Sequence, residues 1–153
     1  MTATNHGLFG AAIAISLHNY PVIALPLAFG SHFLLDALPH SGFDDLGGHL
    51  LVTKKLFFGT LALDAALLFL SFLVLVFNNA PPLVYACWFL AGSPDFAWAY
   101  RYVIKQKLGK IEPSKMNWFN NFHSKIQWSQ TLKGWLIEIP FMIFLFYFVS
   151  SNL

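Results

Sequence analysis

The sequence predicts an all-α membrane protein, a polytopic helical bundle of about five helices, and three observations predict it. Hydrophobic residues make up 57% of the 153 positions and charged residues only 10%, against about 25% charged in ordinary soluble domains. Residues 56–77 and 135–149 form long apolar runs that approach the roughly 20 residues a helix needs to cross about 30 Å of hydrocarbon. The basic residues gather in two stretches, around Lys54 and from Arg101 to Lys133, and the turn between these stretches carries no charge. A chain this short makes one domain. In water it lacks the polar surface to cover so much apolar area, whereas lipid solvates such a surface directly. Residues 1–153 are therefore read as a single integral membrane domain.

The elements follow in order. Residues 7–19 are apolar and rich in small side chains, but short for a full crossing. Pro21 suits the first turn of a new helix and restricts Tyr20 before it, so the chain breaks there. That second helix runs to about Leu38 with a kink at Pro26. The two form a tight hairpin, and three longer spans follow: 56–77, 82–104 (interrupted by Pro94, Asp95 and Arg101) and 135–149. Four helices with an interfacial first segment is the alternative. Residues 105–133 form a basic, aromatic cytoplasmic loop with an amphipathic interfacial helix, anchored by Trp118, Trp128 and Trp135.

With five helices, all nine Lys and Arg side chains fall on one side, which the positive-inside rule makes cytoplasmic. The N-terminus is then inside and the C-terminus outside, in a bacterial inner membrane. The start of the chain lacks the Lys/Arg region of a secretory signal and reads as retained. Cys87 is the lone cysteine, so neither a disulfide framework nor a Cys-based zinc finger is available.

Four of the seven acidic residues lie in or beside apolar segments: Asp36, Asp64, Asp95 and Glu138. An ionised carboxylate in hydrocarbon is costly unless paired, which makes each a functional candidate. At about 1.5 Å per residue, Asp64 lies about 12 Å beyond Leu56 and Asp95 about 9 Å before Arg101. Glu138 lies about 6 Å past Gly134 on the same rule. All four thus fall in the cytoplasmic half of the bundle, at similar depth.

The sharpest local pattern is His32-x-x-x-Asp36-x-x-x-His40. Residues four apart share a helix face, so two imidazoles and a carboxylate lie on one stripe, although Pro39 distorts or ends the last turn. Such a set suits zinc, manganese or iron. The competing reading is a helix end whose polar side chains reach the interface. His6 opens the first helix on the same side and is either a ligand or a helix-start polar residue. Asp95 follows Ser93-Pro94, and the proline frees a backbone carbonyl one turn back; irregular polarity at membrane depth needs protein or water around it. Asp64 has no local partner and is read as a ligand or as acceptor for a ligand's N–H. His123 lies on the interfacial segment, where it can fold over the site. His18 falls near the opposite face, and Asp44, Asp45 and His49 read as a solvated loop. Phosphate-binding glycine loops, a nucleophile elbow and a His-Glu-x-x-His pair are absent. The basic residues set topology and attract anionic headgroups; no nucleic-acid partner is expected.

His32-x-x-x-Asp36-x-x-x-His40 beside Pro39, together with Ala91-Gly92-Ser93-Pro94-Asp95, resembles the predicted membrane-bound metal-dependent hydrolases. These in turn resemble zinc-dependent phospholipase C and P1-type nucleases, α-helical proteins that hold a metal cluster with His and Asp from several helices and an N-terminal group. The resemblance implies His32 and Asp36 as ligands, Asp95 as the Asp of a Pro-Asp element, and His6 as a looser N-terminal match. Phe122-His123 and Gly134-Trp135-Leu136-Ile137-Glu138 look like segments of small uncharacterised bacterial membrane proteins.

The expectation is a metal-dependent inner-membrane hydrolase acting on a phosphoester or related bond of a lipid-like substrate. His32, Asp36, His40 and Asp95, with His6 and His123, bind one or two divalent transition-metal ions, zinc first among them. Asp64 or Glu138 acts as general base or orients a ligand. The alternatives are ion- or proton-coupled transport through the same carboxylates and a non-catalytic membrane scaffold.

Overall fold

A computed structural model describes residues 1–41, 50–99 and 118–153, and the fold is all-α. Helix α1 spans Ala3–Ser16 and α2 spans Pro21–Ala37; α3 is Leu50–Phe77, α4 Pro82–Ala99, α5 Trp118–Ile126 and α6 Trp135–Asn152. Two short strands, β1 (His40–Ser41) and β2 (Gln130–Thr131), pair in parallel with His40 opposite Gln130 and Ser41 opposite Thr131. A single 3₁₀ turn, Leu132–Gly134, leads into α6. Asp44, Asp45, His49, Arg101, Lys105, Lys107, Lys110 and Lys115 lie outside the described residues, as does the first part of the expected basic loop.

The short first helix is the post around which the others stand. It packs against α2, α3, α4 and α6, and Leu8, Ala11 and Ala14 are fully buried. Small residues permit this. A methyl group on Gly10 would lie 2.7 Å from the Ala91 Cβ and closer still to the Cys87 carbonyl, and one on Gly7 would lie 2.7 Å from the Trp88 indole nitrogen. The core continues through Ala24, Ala28, Leu75, Val84, Cys87, Leu145 and Val149. The α1–α2 hairpin turns at Leu17–Tyr20, with Pro21 in the first turn of α2, as Tyr20-Pro21 predicts.

Among the described residues, two helical stretches, Leu56–Phe77 and Trp135–Asn152, are long and apolar enough to cross a membrane. Only 11% and 17% of these windows are buried, so their apolar side chains face outward rather than forming a core. Phe77, Leu136, Ile143 and Tyr147 are among the most exposed large side chains.

The end of α2 is tied down in sequence-readable steps. Pro39 cannot continue the helix, and Leu38 turns to extended backbone. The carbonyls of Ala37 and Leu38, left without helical partners, accept the Ser129 hydroxyl at 3.2 and 2.7 Å. His40 therefore leaves the His32/Asp36 stripe and enters β1. Gly134 is required at the crossing, because any Cβ there would overlap the His40 backbone.

Candidate metal centre

Four helices deliver the polar cluster. His32 and Asp36 stand one turn apart on α2, His6 lies in the first turn of α1, Asp95 follows Pro94 on α4, and His123 is carried by α5. The α5 helix docks through aromatic contacts: Phe33 meets Phe122 and Phe119 at ring distances of 5.5 and 6.2 Å. That contact brings His123 over the end of α2. His6, His32 and Asp36 are fully buried and His123 nearly so, while the Asp95 side chain keeps 25% exposure. Asp95 is thus the open edge of the cluster.

The tautomer of His32 is constrained by its neighbour. Its Nδ1 lies 2.8 Å from the Ala91 carbonyl oxygen, an acceptor only, so Nδ1 carries the hydrogen and donates it. In the neutral ring Nε2 then presents a lone pair. The same stretch of α4 explains why Ala91 holds that position. Pro94 lacks an N–H and frees the Leu90 carbonyl, which accepts the Ser93 hydroxyl at 2.8 Å; the next carbonyl along receives His32.

Around the His32 Nε2 three atoms form a closed triangle. His32 Nε2 is 3.3 Å from Asp36 Oδ2 and 3.1 Å from His123 Nε2, and His123 Nε2 is 2.7 Å from Asp36 Oδ2. Protons do not satisfy all three edges together. If both nitrogens donate to Asp36, two N–H groups face each other; if one is bare toward Asp36, two acceptors do. One ion satisfies every edge. A triangle with sides of 2.7, 3.1 and 3.3 Å has a circumscribed radius of about 1.8 Å, so a point about 2.0–2.1 Å from all three atoms lies about 1 Å off their plane. That is the bond length of zinc to His and Asp. Asp95 Oδ1 stands 3.8 Å from His32 Nε2 on the open side, near the edge of about 3.3 Å that a tetrahedron of such bonds requires.

Asp36 uses both oxygens. Oδ1 faces His6 Nε2 at 3.1 Å and the Met1 amino group, while Oδ2 faces His32, His123 and the Gln127 amide at 3.2 Å. The His6 ring stacks on His32 with centroids 3.9 Å apart, and its buried Nδ1 has no hydrogen-bond partner among the described residues. Two overlapping ligand sets result, His6/His32/Asp36 and His32/Asp95/His123.

The remaining expected site residues go elsewhere. Asp64 accepts the Ala3 and Thr4 backbone N–H groups at 2.9 and 3.1 Å and the Thr4 hydroxyl at 2.6 Å. Glu138, fully enclosed on α6, accepts the Thr2 N–H at 3.0 Å and the Ser41 N–H and hydroxyl at 2.7 and 2.8 Å. Both carboxylates therefore meet the donors at the start of α1, where the helix dipole favours negative charge, rather than joining the His/Asp cluster. His40 is in neither ligand set. Its Nδ1 donates to the Leu38 carbonyl at 2.8 Å, and its buried Nε2 has no partner among the described residues. Burial holds its pKa below the ordinary imidazole value.

Gln127 is the cluster member that sequence reasoning passed over. Its signal was its spacing, one turn past His123 in a segment judged interfacial. Asn5, Thr4 and Ser41 were likewise invisible as partners, because each acts through a carboxylate more than fifty residues away in sequence.

The fold and cluster define an all-α protein with a buried, multi-helix His/Asp centre. No family model, curated protein or solved structure matches the chain.

Proposed function

We propose that the chain is a polytopic inner-membrane protein with a divalent-metal centre, and that it hydrolyses a phosphoester or related bond in a lipid-like substrate. The observation that carries the reading is the His32–His123–Asp36 triangle, whose three edges one ion satisfies and protons do not. His32, Asp36 and His123 are the core ligands, Asp95 completes the set at the open edge, and His6 extends it through the second Asp36 oxygen. The donors are imidazole and carboxylate, which suits zinc and leaves manganese and iron as alternatives. A metal held by these residues would supply Lewis acidity toward a phosphoryl oxygen and would acidify a water.

The chain's own groups orient and gate. The Ala91 carbonyl fixes the His32 tautomer, as outer-sphere acceptors of metal-bound histidines do. Gln127 holds the Asp36 oxygen that faces both histidines. Asp95, partly open, marks the side from which substrate reaches the centre. Asp64 and Glu138 hold the start of α1 and with it His6.

The outward apolar faces of α3 and α6 support a membrane setting, since exposed apolar area on this scale does not persist in water. The one-sided placement of basic residues supports a cytoplasmic N-terminus and an external C-terminus. Among the described residues the buried ionisable groups gather at one end, while the far end of the bundle is Ala14, Ala24, Ala80 and Val149. A transport path needs polar groups on both sides of the midplane, which favours hydrolysis over transport. The likeness to membrane-bound metal-dependent hydrolases agrees with this reading.

The test is metal content and turnover measured together. Purified protein holds about one or two zinc ions per chain and His32→Ala loses most of it. Wild type then cleaves lipid phosphoesters in mixed micelles, chelation stops it, and zinc restores it. A metal-free wild type, or full stoichiometry in His32→Ala, overturns the centre.

A further inference from the structure

One corner of the metal centre is carried by a helix too short to be stable by itself. His6, His32, Asp36 and Asp95 lie on α1, α2 and α4, which pack closely on one another. His123 lies instead on α5, which is nine residues long and packs chiefly against α2. A helix shorter than about 12–15 residues is marginal in water. Whatever holds α5 in place therefore also holds His123 in the triangle.

The two faces of α5 differ in what they meet. Phe119 and His123, one turn apart, turn inward: Phe119 meets Phe33 with ring centroids 6.2 Å apart, and His123 meets Asp36 at 2.7 Å. Gln127, a further turn along, reaches the same Asp36 oxygen at 3.2 Å. Trp118, Asn121, Phe122 and Lys125 stand at i, i+3, i+4 and i+7 on the outer face, and all four are exposed. Trp118 is 78% exposed and Trp128, just past the helix, 77%; such amphipathic rings settle at the membrane–water boundary. Lys125 and Lys133 are exposed beside them, and residues 118–137 contain no Asp or Glu. An anionic surface therefore meets only opposite charge along this stretch. The chain then runs on into α6, where Leu136 is exposed at the start of an outward apolar face.

We infer that the anionic headgroup surface of the bilayer holds α5 in its docked position and so sets the affinity of the centre for its metal. The inference rests on the membrane setting and the metal centre proposed above. The Trp118 and Trp128 rings seat at headgroup level, and Lys125 and Lys133 pair with lipid phosphates. A helix formed on that surface presents its other face, with His123 and Gln127, to Asp36. Linkage makes the effect reciprocal: metal bound through His123 also holds α5 on the lipid. Metal loading and attachment of α5 rise and fall together.

The test uses the full chain in nanodiscs of phosphatidylcholine, alone or mixed with phosphatidylglycerol. Zinc affinity, measured by competition with a chromogenic chelator, is expected to be about tenfold higher with phosphatidylglycerol, the factor for an α5 docked about a tenth of the time without it. In metal-free protein the amides of 119–127 are expected to exchange about tenfold more slowly in the anionic discs, and zinc slows them in phosphatidylcholine as well. Trp118→Ser with Lys125→Gln, and separately Trp128→Ser with Lys133→Gln, replace no ligand; each is expected to weaken both lipid effects, with amide exchange in α1 and α2 unchanged. Zinc bound with equal affinity in both lipids, equal exchange across α5, or lipid effects that survive both double variants overturns the inference and leaves the metal centre standing. Protection of α5 only in discs that hold two chains assigns the surface to a second copy and overturns it too. Zinc-free protein in both lipids overturns the centre, and the coupling with it.

Discussion

Replacing Asp64 distinguishes a carboxylate that works on substrate from one that holds a helix. Its two oxygens take three donors at the start of α1: the Ala3 and Thr4 N–H groups and the Thr4 hydroxyl. In Asp64→Ala those donors lose their acceptor, and Thr4 is fully buried, so water does not replace it freely. Each unmet buried donor costs about 1–3 kcal/mol, and losing an anion from a helix N-terminus costs about 0.3–2 kcal/mol more. Because the three bonds share one carboxylate the losses do not add fully, and a total of about 2–4 kcal/mol is expected. Asp64→Asn keeps one acceptor oxygen and the shape, so it loses about 1–2 kcal/mol. Unfolding by SDS titration of metal-free protein measures both. Zinc retention then falls in the same order, because α1 carries His6 into the centre. A stability change below about 1 kcal/mol in Asp64→Ala, with turnover abolished, refutes the helix-holding role and returns Asp64 to the chemistry.

Gly134→Ala puts a methyl into the His40 backbone; it is expected to break the β1–β2 pairing, to destabilise by at least the ~1–3 kcal/mol of ordinary overpacking, and to shift amide exchange at Ser41 and Thr131. Gly10→Ala presses on Ala91 and Cys87; since the Ala91 carbonyl orients His32, zinc affinity is expected to fall by about 10–100-fold, measured by competition with a chromogenic chelator. Burial lowers the His40 pKa in the folded chain, so the unfolded state binds more protons as pH falls below about 6.5 and stability declines there. Unfolding of metal-free protein across that window is expected to be flatter in His40→Gln than in wild type; identical slopes contradict it.

The helical layout was legible because long apolar helices advertise themselves by length and composition, and because proline and charge mark their ends. Tyr20-Pro21 set the hairpin turn, and the Trp/Phe-rich run placed the amphipathic segment that became α5. The local part of the site was legible for the same kind of reason: His32 and Asp36 share a face through helix periodicity alone. What periodicity does not encode is which face of a helix meets which neighbour. Asp64 and Glu138 stand out in the sequence as carboxylates within apolar segments, but their partners are mostly backbone N–H groups and short hydroxyls at the start of α1 and in β1, which no sequence pattern distinguishes. His40 shows the converse. Its spacing extends the His32/Asp36 stripe only while the helix continues, and Pro39 ends that helix. The centre is therefore assembled in two layers, a periodic pair on α2 and a set of cross-bundle contacts to it. If the contacts depend on α1 being held in place, damage at its start spreads to the metal. Thr4→Val tests this without replacing any ligand or carboxylate: it removes one donor to Asp64, and both stability and zinc retention are expected to fall, by about 1–2 kcal/mol and severalfold respectively. Normal zinc retention in a destabilised Thr4→Val would mean that α2, α4 and α5 hold the metal without α1.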